Sequence, residues 1–230
     1  MVLRFSLRPR LLVAALLLPL LIPAVGAAPR LPRVVEVPVR PAFVRPPGAA
    51  ERPAQAGQVL APATVLRTQA PGRLQVQLAD GRSFRLGGDA VLHLRGSVLD
   101  LQRGQIIAWV LPGQKGRGGA PLQVRTRVGT ASIEGTTLFI EAGPEQVRVF
   151  SWEGQVRVTT SDGQRYRLSS GEQLTYRALA GAQGPAGWQP PQRLPRPELL
   201  ARRASSPLLN GFRAPLDTWP TIRQELDLPR

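Results

Sequence analysis

The sequence predicts an all-β domain, an antiparallel β-sandwich or roll or a short β-solenoid of about 10–13 short strands. Apolar residues alternate with polar ones in 74–78, and Leu122, Val124 and Val128 do so in 122–128, the period of half-buried strands. Asp80-Gly81 and Asp162-Gly163 each separate two such runs, and both residue types tolerate the positive φ of a tight hairpin. The close spacing of the runs places the domain at 58–180.

The strands are predicted in order along this region. After the run at 74–78, further candidate strands are 90–95, 97–102, 105–111, 122–128, 145–152, 154–160, 164–168 and 172–177. The segment 79–95 resembles 161–177, which indicates either an internal structural repeat or shared strand-turn-strand constraints.

The window VGTASIEGTTLFIE, 128–141, resembles an active-site loop but is better explained by two strands. Gly129 and Gly135 mark places where the backbone turns or lets another strand approach closely. Thr136 suits a pleated surface. We expect Gly135→Val to damage folding and Thr136→Val to be nearly silent.

The segments outside the domain have different compositions. Residues 1–27 combine three arginines, an apolar run from Leu11 to Val25 and small residues, typical of a secretory signal peptide cleaved after Ala27. An uncleaved membrane anchor is the alternative. Residues 28–57 are proline-rich and predict a semi-rigid linker in polyproline II form.

The tail, 181–230, begins as a second Pro/Gly-rich linker and ends with short helices. The candidates are 197–203 and 216–227, where Pro220 lies in the first turn of the second helix. Because the second helix is amphipathic, we expect it to dock on the β-domain.

Charge and cysteine content limit the classes of partner and chemistry that the protein can have. The chain has 30 Lys and Arg against 15 Asp and Glu, a formal charge of +15, and Lys115 is its single lysine. Such a surface attracts polyanions, although arginines at alternate strand positions also fit a solvated strand face. The absence of cysteine excludes disulfides, thiolate catalysis, zinc–cysteine sites and a lipoprotein anchor.

No catalytic constellation is predicted, so the protein is expected not to be an enzyme and to use no cofactor or metal. His93 is the single histidine and lies in a strand pattern without a partner for a Ser-His-Asp triad. The loop 112–121 contains Lys115 but lacks the phosphate-loop motif. A glycosidase would need two converging carboxylates, and the candidates are Glu134, Glu141, Glu153, Asp162 and Glu172.

The β-region resembles the FecR domain family, known from regulators of iron-dicitrate transport. The resemblance lies in VQLADGRSFRLGGDAVLHL (76–94), LDLQRGQIIAWV (99–110), PLQVRTRVGTASIEGTTLFIE (121–141) and VRVFSWEGQVRV (147–158). It implies an exported, non-enzymatic sensor or interaction domain of the cell envelope.

The partners expected are an envelope protein or an anionic envelope polymer, and no nucleic acid is expected. The signalling domain of an outer-membrane receptor is a further candidate partner that the resemblance implies. The expected location is the periplasm or the exterior, with membrane contact only if the N-terminal apolar segment is retained. The alternative is an inner-membrane regulator acting with a sigma factor. Since about ten residues precede the apolar run, we expect no folded cytoplasmic segment.

Overall fold

The computed structural model describes residues 31–114, 116, 119–179 and 185–229. The predicted signal peptide at 1–27 and Lys115 lie outside the described residues. The strands are β1 Arg33–Val39, β2 Ala42–Arg45, β3 Arg52–Pro53, β4 Val65–Thr68, β5 Arg73–Gln77, β6 Ser83–Arg95, β7 Val98–Trp109, β8 Leu122–Thr126, β9 Gly129–Ile133, β10 Thr137–Ala142, β11 Gln146–Glu153, β12 Val156–Thr160, β13 Arg165–Leu168, β14 Glu172–Arg177, β15 Gly187–Trp188 and β16 Gln192–Arg193. The helices are α1 Arg196–Ser205, α2 Pro207–Asn210 and α3 Trp219–Glu225.

The described strands form one open and mostly antiparallel sheet, which confirms the all-β prediction. Its main path runs β13-β12-β9-β8-β7-β10-β11-β14-β15, and β8 pairs in parallel with β7. The long hairpin of β6 and β7 is paired from Ser83 opposite Trp109 to Arg95 opposite Val98. This hairpin joins the N-terminal strands to the rest of the sheet.

The predicted turns are confirmed. Asp80-Gly81 connects β5 to β6 and Asp162-Gly163 connects β12 to β13, with φ of 89° at Gly81 and 86° at Gly163. The two similar segments nevertheless differ in structure, since 83–95 is a single bulged strand whereas 165–177 forms β13 and β14.

The prediction of a polyproline linker at 28–57 is wrong for the residues that form β1, β2 and β3. Strand β1 pairs with β5, and β2 pairs with β3 and β4. Val34, Ala42 and Val44 are buried there, and this apolar burial offsets the ladder hydrogen bonds that the prolines cannot donate. Pro38 lies where the β1–β5 register shifts, a position that requires no ladder donor.

The middle strands of the sheet are buried on both faces. In β11, Val147 and Val149 belong to the main core, while Phe150 and Trp152 contribute to a second apolar cluster on the opposite face. The second cluster is covered by the C-terminal segment, defined here as residues 194–228. Burial on both faces explains the short continuous apolar runs at 106–109 in β7 and 138–140 in β10.

Both predicted helices exist and dock on the sheet. Helix α1 covers 197–203, α3 lies within 216–227, and Leu199 and Ile222 pack into the second cluster. The short helix α2 was not predicted. Among the described residues, no helix has the length and apolar character needed to cross a membrane.

The window at 128–141 forms β9 and β10, as predicted, joined by a turn. Gly135 lies in this turn with φ of 62°. Gly129 supports a close strand approach, because a Cβ there would lie 2.8 Å from the carbonyl oxygen of Thr159. The expectation that Thr136→Val has little effect is contradicted, since Thr136 is fully buried and its hydroxyl donates to the carbonyl of Glu153.

Thr136→Val is therefore expected to lower the free energy of unfolding by about 1–2 kcal/mol, the cost of leaving a buried carbonyl unpaired. Gly135→Val should cost roughly 2 kcal/mol or more, because a β-branched residue is strained at positive φ. Urea unfolding measures both. Thr130→Val is the matched control and should change stability little; equal stability of the Thr136 and Thr130 variants would contradict the hydrogen-bond argument.

Candidate interaction surfaces

The residues considered for catalysis do not form a catalytic group. His93 lies half-buried in β6 between the buried Leu92 and Leu94. Glu134 is exposed and bonds to Arg157, whereas Glu153 is 2% exposed beneath α3. Because Glu153 is almost inaccessible to solvent, it cannot reach a glycan together with Glu134.

The other candidate carboxylates have local structural partners. Glu141 pairs with Arg148. Asp162 accepts a hydrogen bond from the Thr160 hydroxyl, and this bond lowers its pKa. Glu172 accepts from the amide of Ser169 at 2.7 Å. Within the described part of the chain, no group of three or more His, Asp or Glu residues is placed to hold a metal ion.

Four adjacent strands bring dispersed arginines onto one face of the sheet. One cross-strand row runs Gln123, Ser132, Arg157 and Arg167 over β8, β9, β12 and β13. A second row on the same face runs Arg125, Thr130, Thr159 and Arg165. We call these eight residues the arginine face.

The opposite face of these strands is apolar and buried in the main core, as at Val124 and Val158. The period of two therefore directs every polar side chain of the two rows outward. Because neighbouring strands lie about 4.8 Å apart, hydroxyl, amide and guanidinium groups repeat at that interval across the face. A groove of about 380 Å³ lies over the part of the face formed by β8, β9 and the end of β12.

The two ion pairs of the arginine face differ in burial: Glu134, the partner of Arg157, is exposed, whereas Asp100, the partner of Arg125, is buried. Arg157 bonds to Glu134 at 2.6 Å, and Arg125 bonds to Asp100 at 2.9 Å. The hydrogen bond from Arg125 lowers the pKa of Asp100, so this partner stays ionised. Exposed pairs contribute at most about 1 kcal/mol, so a bound anion can replace Glu134 without a large loss.

The arginines of β13, the strand at one end of the main path, have uncompensated charge. Among the ion pairs of the described residues, none involves Arg165 or Arg167. Arg157 lies directly opposite Arg167, so two guanidiniums adjoin across β12 and β13. Adjacent like charges on a solvated surface attract a polyanion.

Arg85 binds the C-terminal segment to the sheet face that carries the second apolar cluster. It is 1% exposed and donates to the carbonyls of Leu208 at 2.9 Å and Ala214 at 2.6 Å, and to the Gln75 side chain at 2.9 Å. Its guanidinium also lies 4.2 Å from the ring centroid of Phe212. Burial lowers the pKa of Arg85 to about 10, so the group remains charged at neutral pH.

A second contact between the C-terminal segment and the sheet involves two glutamates. The Thr137 hydroxyl donates to Glu153 at 2.9 Å and lies 2.6 Å from the hydroxyl of Thr218, which precedes α3. Glu225 of α3 accepts from the amide of Gly154 at 2.8 Å. Burial raises the pKa of Glu153 to about 7, and the neighbouring Glu225 adds to the rise.

Sequence reasoning assigned no partner-binding residues, and it treated the arginines as a solvated strand face. The sequence displays the alternate positions of these arginines, but it does not display the strand order that aligns them in rows. The burial of Glu153 and Arg85 was also missed, because residues more than 70 positions away cover them.

The β-region is similar to a known protein family. Residues 64–157 match the family model described as FecR protein, which confirms the resemblance in the sequence. The matched family is regulatory rather than enzymatic.

Two crystal structures of a candidate anti-sigma factor from Parabacteroides distasonis ATCC 8503 are similar in backbone. One is 20% identical with a TM-score of 0.46, covering 60% of this chain and 61% of that chain. The other is 19% identical with a TM-score of 0.49, covering 64% of each chain. The chain thus spans less than two thirds of these relatives. No curated protein matches the sequence.

Proposed function

We propose that this protein is an exported, non-enzymatic cell-envelope protein whose FecR-like domain binds an anionic partner through the arginine face. The partner is an envelope polymer or an acidic envelope protein, and the domain acts as a sensor-like or structural module. The observation that carries the proposal is the pair of cross-strand rows, which gather four arginines with hydroxyl and amide groups on one solvated surface.

The chemistry of the rows suits a polyanion. Guanidinium groups donate two parallel hydrogen bonds to carboxylate or phosphate, and Thr and Ser hydroxyls can bond to the remaining polar groups. Tyr166, on β13, packs against the main core, so its ring does not lie on the arginine face. A single-stranded nucleic acid would need aromatic rings for stacking, so it fits this face poorly.

A pull-down from outer-membrane and wall fractions tests the proposal. We expect the wild type to enrich an anionic component over an unrelated basic protein. The double variant Arg157→Gln/Arg167→Gln should lose most of that enrichment, because two adjacent guanidiniums are neutralised.

Arg45→Gln/Arg52→Gln is the matched control. It removes the same charge from exposed residues of β2 and β3, at the far end of the sheet, and should bind like the wild type. No enrichment by the wild type, or equal losses in the two double variants, would overturn the proposal.

The second candidate is a membrane-anchored regulator that acts with a sigma factor and an outer-membrane receptor. The FecR match favours it, and it requires the apolar segment 11–25 to be retained. Sequencing the N-terminus of the protein from cells separates the two: a terminus at Ala28 supports the exported form, and an intact N-terminal segment supports the anchored one.

A further inference from the structure

Strand β13 forms an edge of the open sheet. It lies at one end of the main strand path and, among the strands of the described residues, pairs only with β12. Arg165 and Arg167 are exposed, and Tyr166 between them is half-buried. We call the side of β13 that faces away from β12 the β13 edge. Such an edge presents backbone groups to which another strand can bond.

The hairpin geometry determines which backbone groups the β13 edge presents. The amide of Thr160 donates to the carbonyl of Gln164 at 2.9 Å, so these two residues are a hydrogen-bonded pair. Because such pairs alternate along an antiparallel ladder, Tyr166 is the next residue of β13 whose backbone bonds to β12. The N–H and C=O groups of Arg165 and Arg167 therefore point away from β12.

The other side of β12 shows the same alternation. The amide of Ser161 donates to the carbonyl of Val128 at 2.9 Å, so the backbone of Arg157, in phase with Ser161, bonds to β9 and not to β13. Within the described part of the chain, no group bonds to the backbone N–H or C=O of Arg165 or Arg167. The β13 edge thus offers two donors and two acceptors with the spacing of a strand.

The side chains beside this edge favour an acidic occupant. Arg165 and Arg167 belong to the arginine face, and none of the ion pairs of the described residues involves them. Asp162, in the hairpin turn, accepts instead from the side chains of Thr160 and Gln164. An added strand places a side chain opposite each arginine, where an acidic residue stabilises the pairing and a like charge destabilises it. A second copy of β13 would oppose arginine with arginine, so self-pairing is disfavoured.

The other face of β13 favours apolar residues. Tyr166 packs against the main core, and its ring centroid lies 6.5 Å from that of Trp188, which is also half-buried. Residues of an added strand that lie between the acidic ones project toward this face, because side chains alternate along a strand.

We propose that the β13 edge binds an extended acidic segment of a partner protein as an antiparallel strand, in which acidic residues oppose Arg165 and Arg167 and alternate with apolar ones. The inference rests on the proposed function, since both arginines belong to the arginine face, and it narrows the partner to a polypeptide. A polysaccharide has no regular series of amide N–H and C=O groups to pair with the edge.

An end-capped octapeptide of alternating Asp and Val is the probe. N-methylation of its Asp residues removes the amide hydrogens that face β13, whereas N-methylation of its Val residues removes those that point away. The two methylated peptides carry the same charge and the same number of methyl groups. We expect the methyl-Asp peptide to bind at least about tenfold more weakly than the unmodified peptide, because two backbone hydrogen bonds are lost. The methyl-Val peptide is the matched control and should bind like the unmodified one.

Hydrogen exchange locates the contact. In the protein without peptide, the amides of Arg165 and Arg167 should exchange quickly, and those of Tyr166 and Leu168, bonded to β12, should exchange slowly. Saturation with the unmodified peptide should slow exchange of the two arginine amides at least about tenfold, because each gains one backbone hydrogen bond. The amides of Tyr166 and Leu168 are the internal control and should change little.

Equal affinities of the two methylated peptides, or arginine amides that stay unprotected at saturation, would overturn the inference. Slow exchange of these amides without peptide would also overturn it: protection independent of protein concentration would mean that the chain covers its own edge, and protection that grows with concentration would mean that a second copy does. Polygalacturonate, a polycarboxylate without backbone amides, separates this result from the proposed function. If it binds while the methylated peptides bind equally, only the β13 edge is rejected; if neither it nor the unmodified peptide binds, the arginine face is rejected as well.

Discussion

Replacing Glu153 with Gln is expected to raise the free energy of unfolding at pH 8 by about 3 kcal/mol while changing it little at pH 4. Glu153 is 2% exposed, and burial raises its pKa to about 7. The nearby Glu225 raises the pKa further, whereas the Thr137 hydroxyl opposes the rise. A neutral amide of the same shape avoids the cost of ionising a buried group.

The direction of the pH effect follows from the raised pKa. The folded state holds the Glu153 proton more tightly than the unfolded state does, so the contribution of this proton to stability is complete below pH 4.5. It is lost progressively as the pH rises from 4.5 to about 7 and stays lost above that. Glu225 faces the group from α3, and no ion pair among the described residues involves Glu153.

Urea unfolding of both proteins between pH 4 and pH 8 measures this difference. Glu134→Gln is the control: Glu134 is exposed and pairs at the surface with Arg157, so its loss should change stability by less than about 1 kcal/mol at either pH. A Glu153 variant that is no more stable than the wild type at pH 8 would contradict the burial argument.

Arg85→Met is expected to lower the free energy of unfolding by roughly 3 kcal/mol. Methionine retains much of the apolar stem but leaves the carbonyls of Leu208 and Ala214 without their charged donor. The stacking of the guanidinium on Phe212 is also lost. The loss is therefore concentrated where residues 206–214 contact β6.

Hydrogen exchange gives a local measurement of the same effect. The amides of 206–214 should exchange much faster in the Arg85 variant, while those of β8 and β9 keep their relative protection. Arg67→Met is the control, because Arg67 forms a surface pair with Glu51 whose loss should cost no more than about 1 kcal/mol. Unchanged protection of 206–214 in the Arg85 variant would show that this residue does not fasten the segment.

Short-range patterns predicted much of the fold. Alternation located most strands between 58 and 180, although β4 was missed and β7 was predicted as two strands. The two Asp-Gly pairs located hairpins, and local helix patterns located α1 and α3. These features depend on residues within a few positions of one another, so the sequence displays them directly.

The features that sequence reasoning missed depend on distant partners. The N-terminal strands are stabilised by β4 and β5, and local proline content suggested a linker instead. Glu153 resembles a solvated residue at a hairpin until α3, about 70 positions later, covers it. The rows of the arginine face require the order β8, β9, β12, β13, which alternation within each strand cannot supply.

The salt dependence of polyanion binding tests the central claim most directly. We would titrate the protein with polygalacturonate, a linear polycarboxylate, and use its neutral methyl ester as the control ligand. The logarithm of the affinity should fall linearly with the logarithm of the salt concentration.

For Arg157→Gln/Arg167→Gln, this slope should fall by about 2 in magnitude, since two contacts to the polymer are removed. Arg45→Gln/Arg52→Gln should keep the wild-type slope. The claim would be contradicted if both double variants changed the slope equally, because the polymer would then respond to net charge and not to the arginine face.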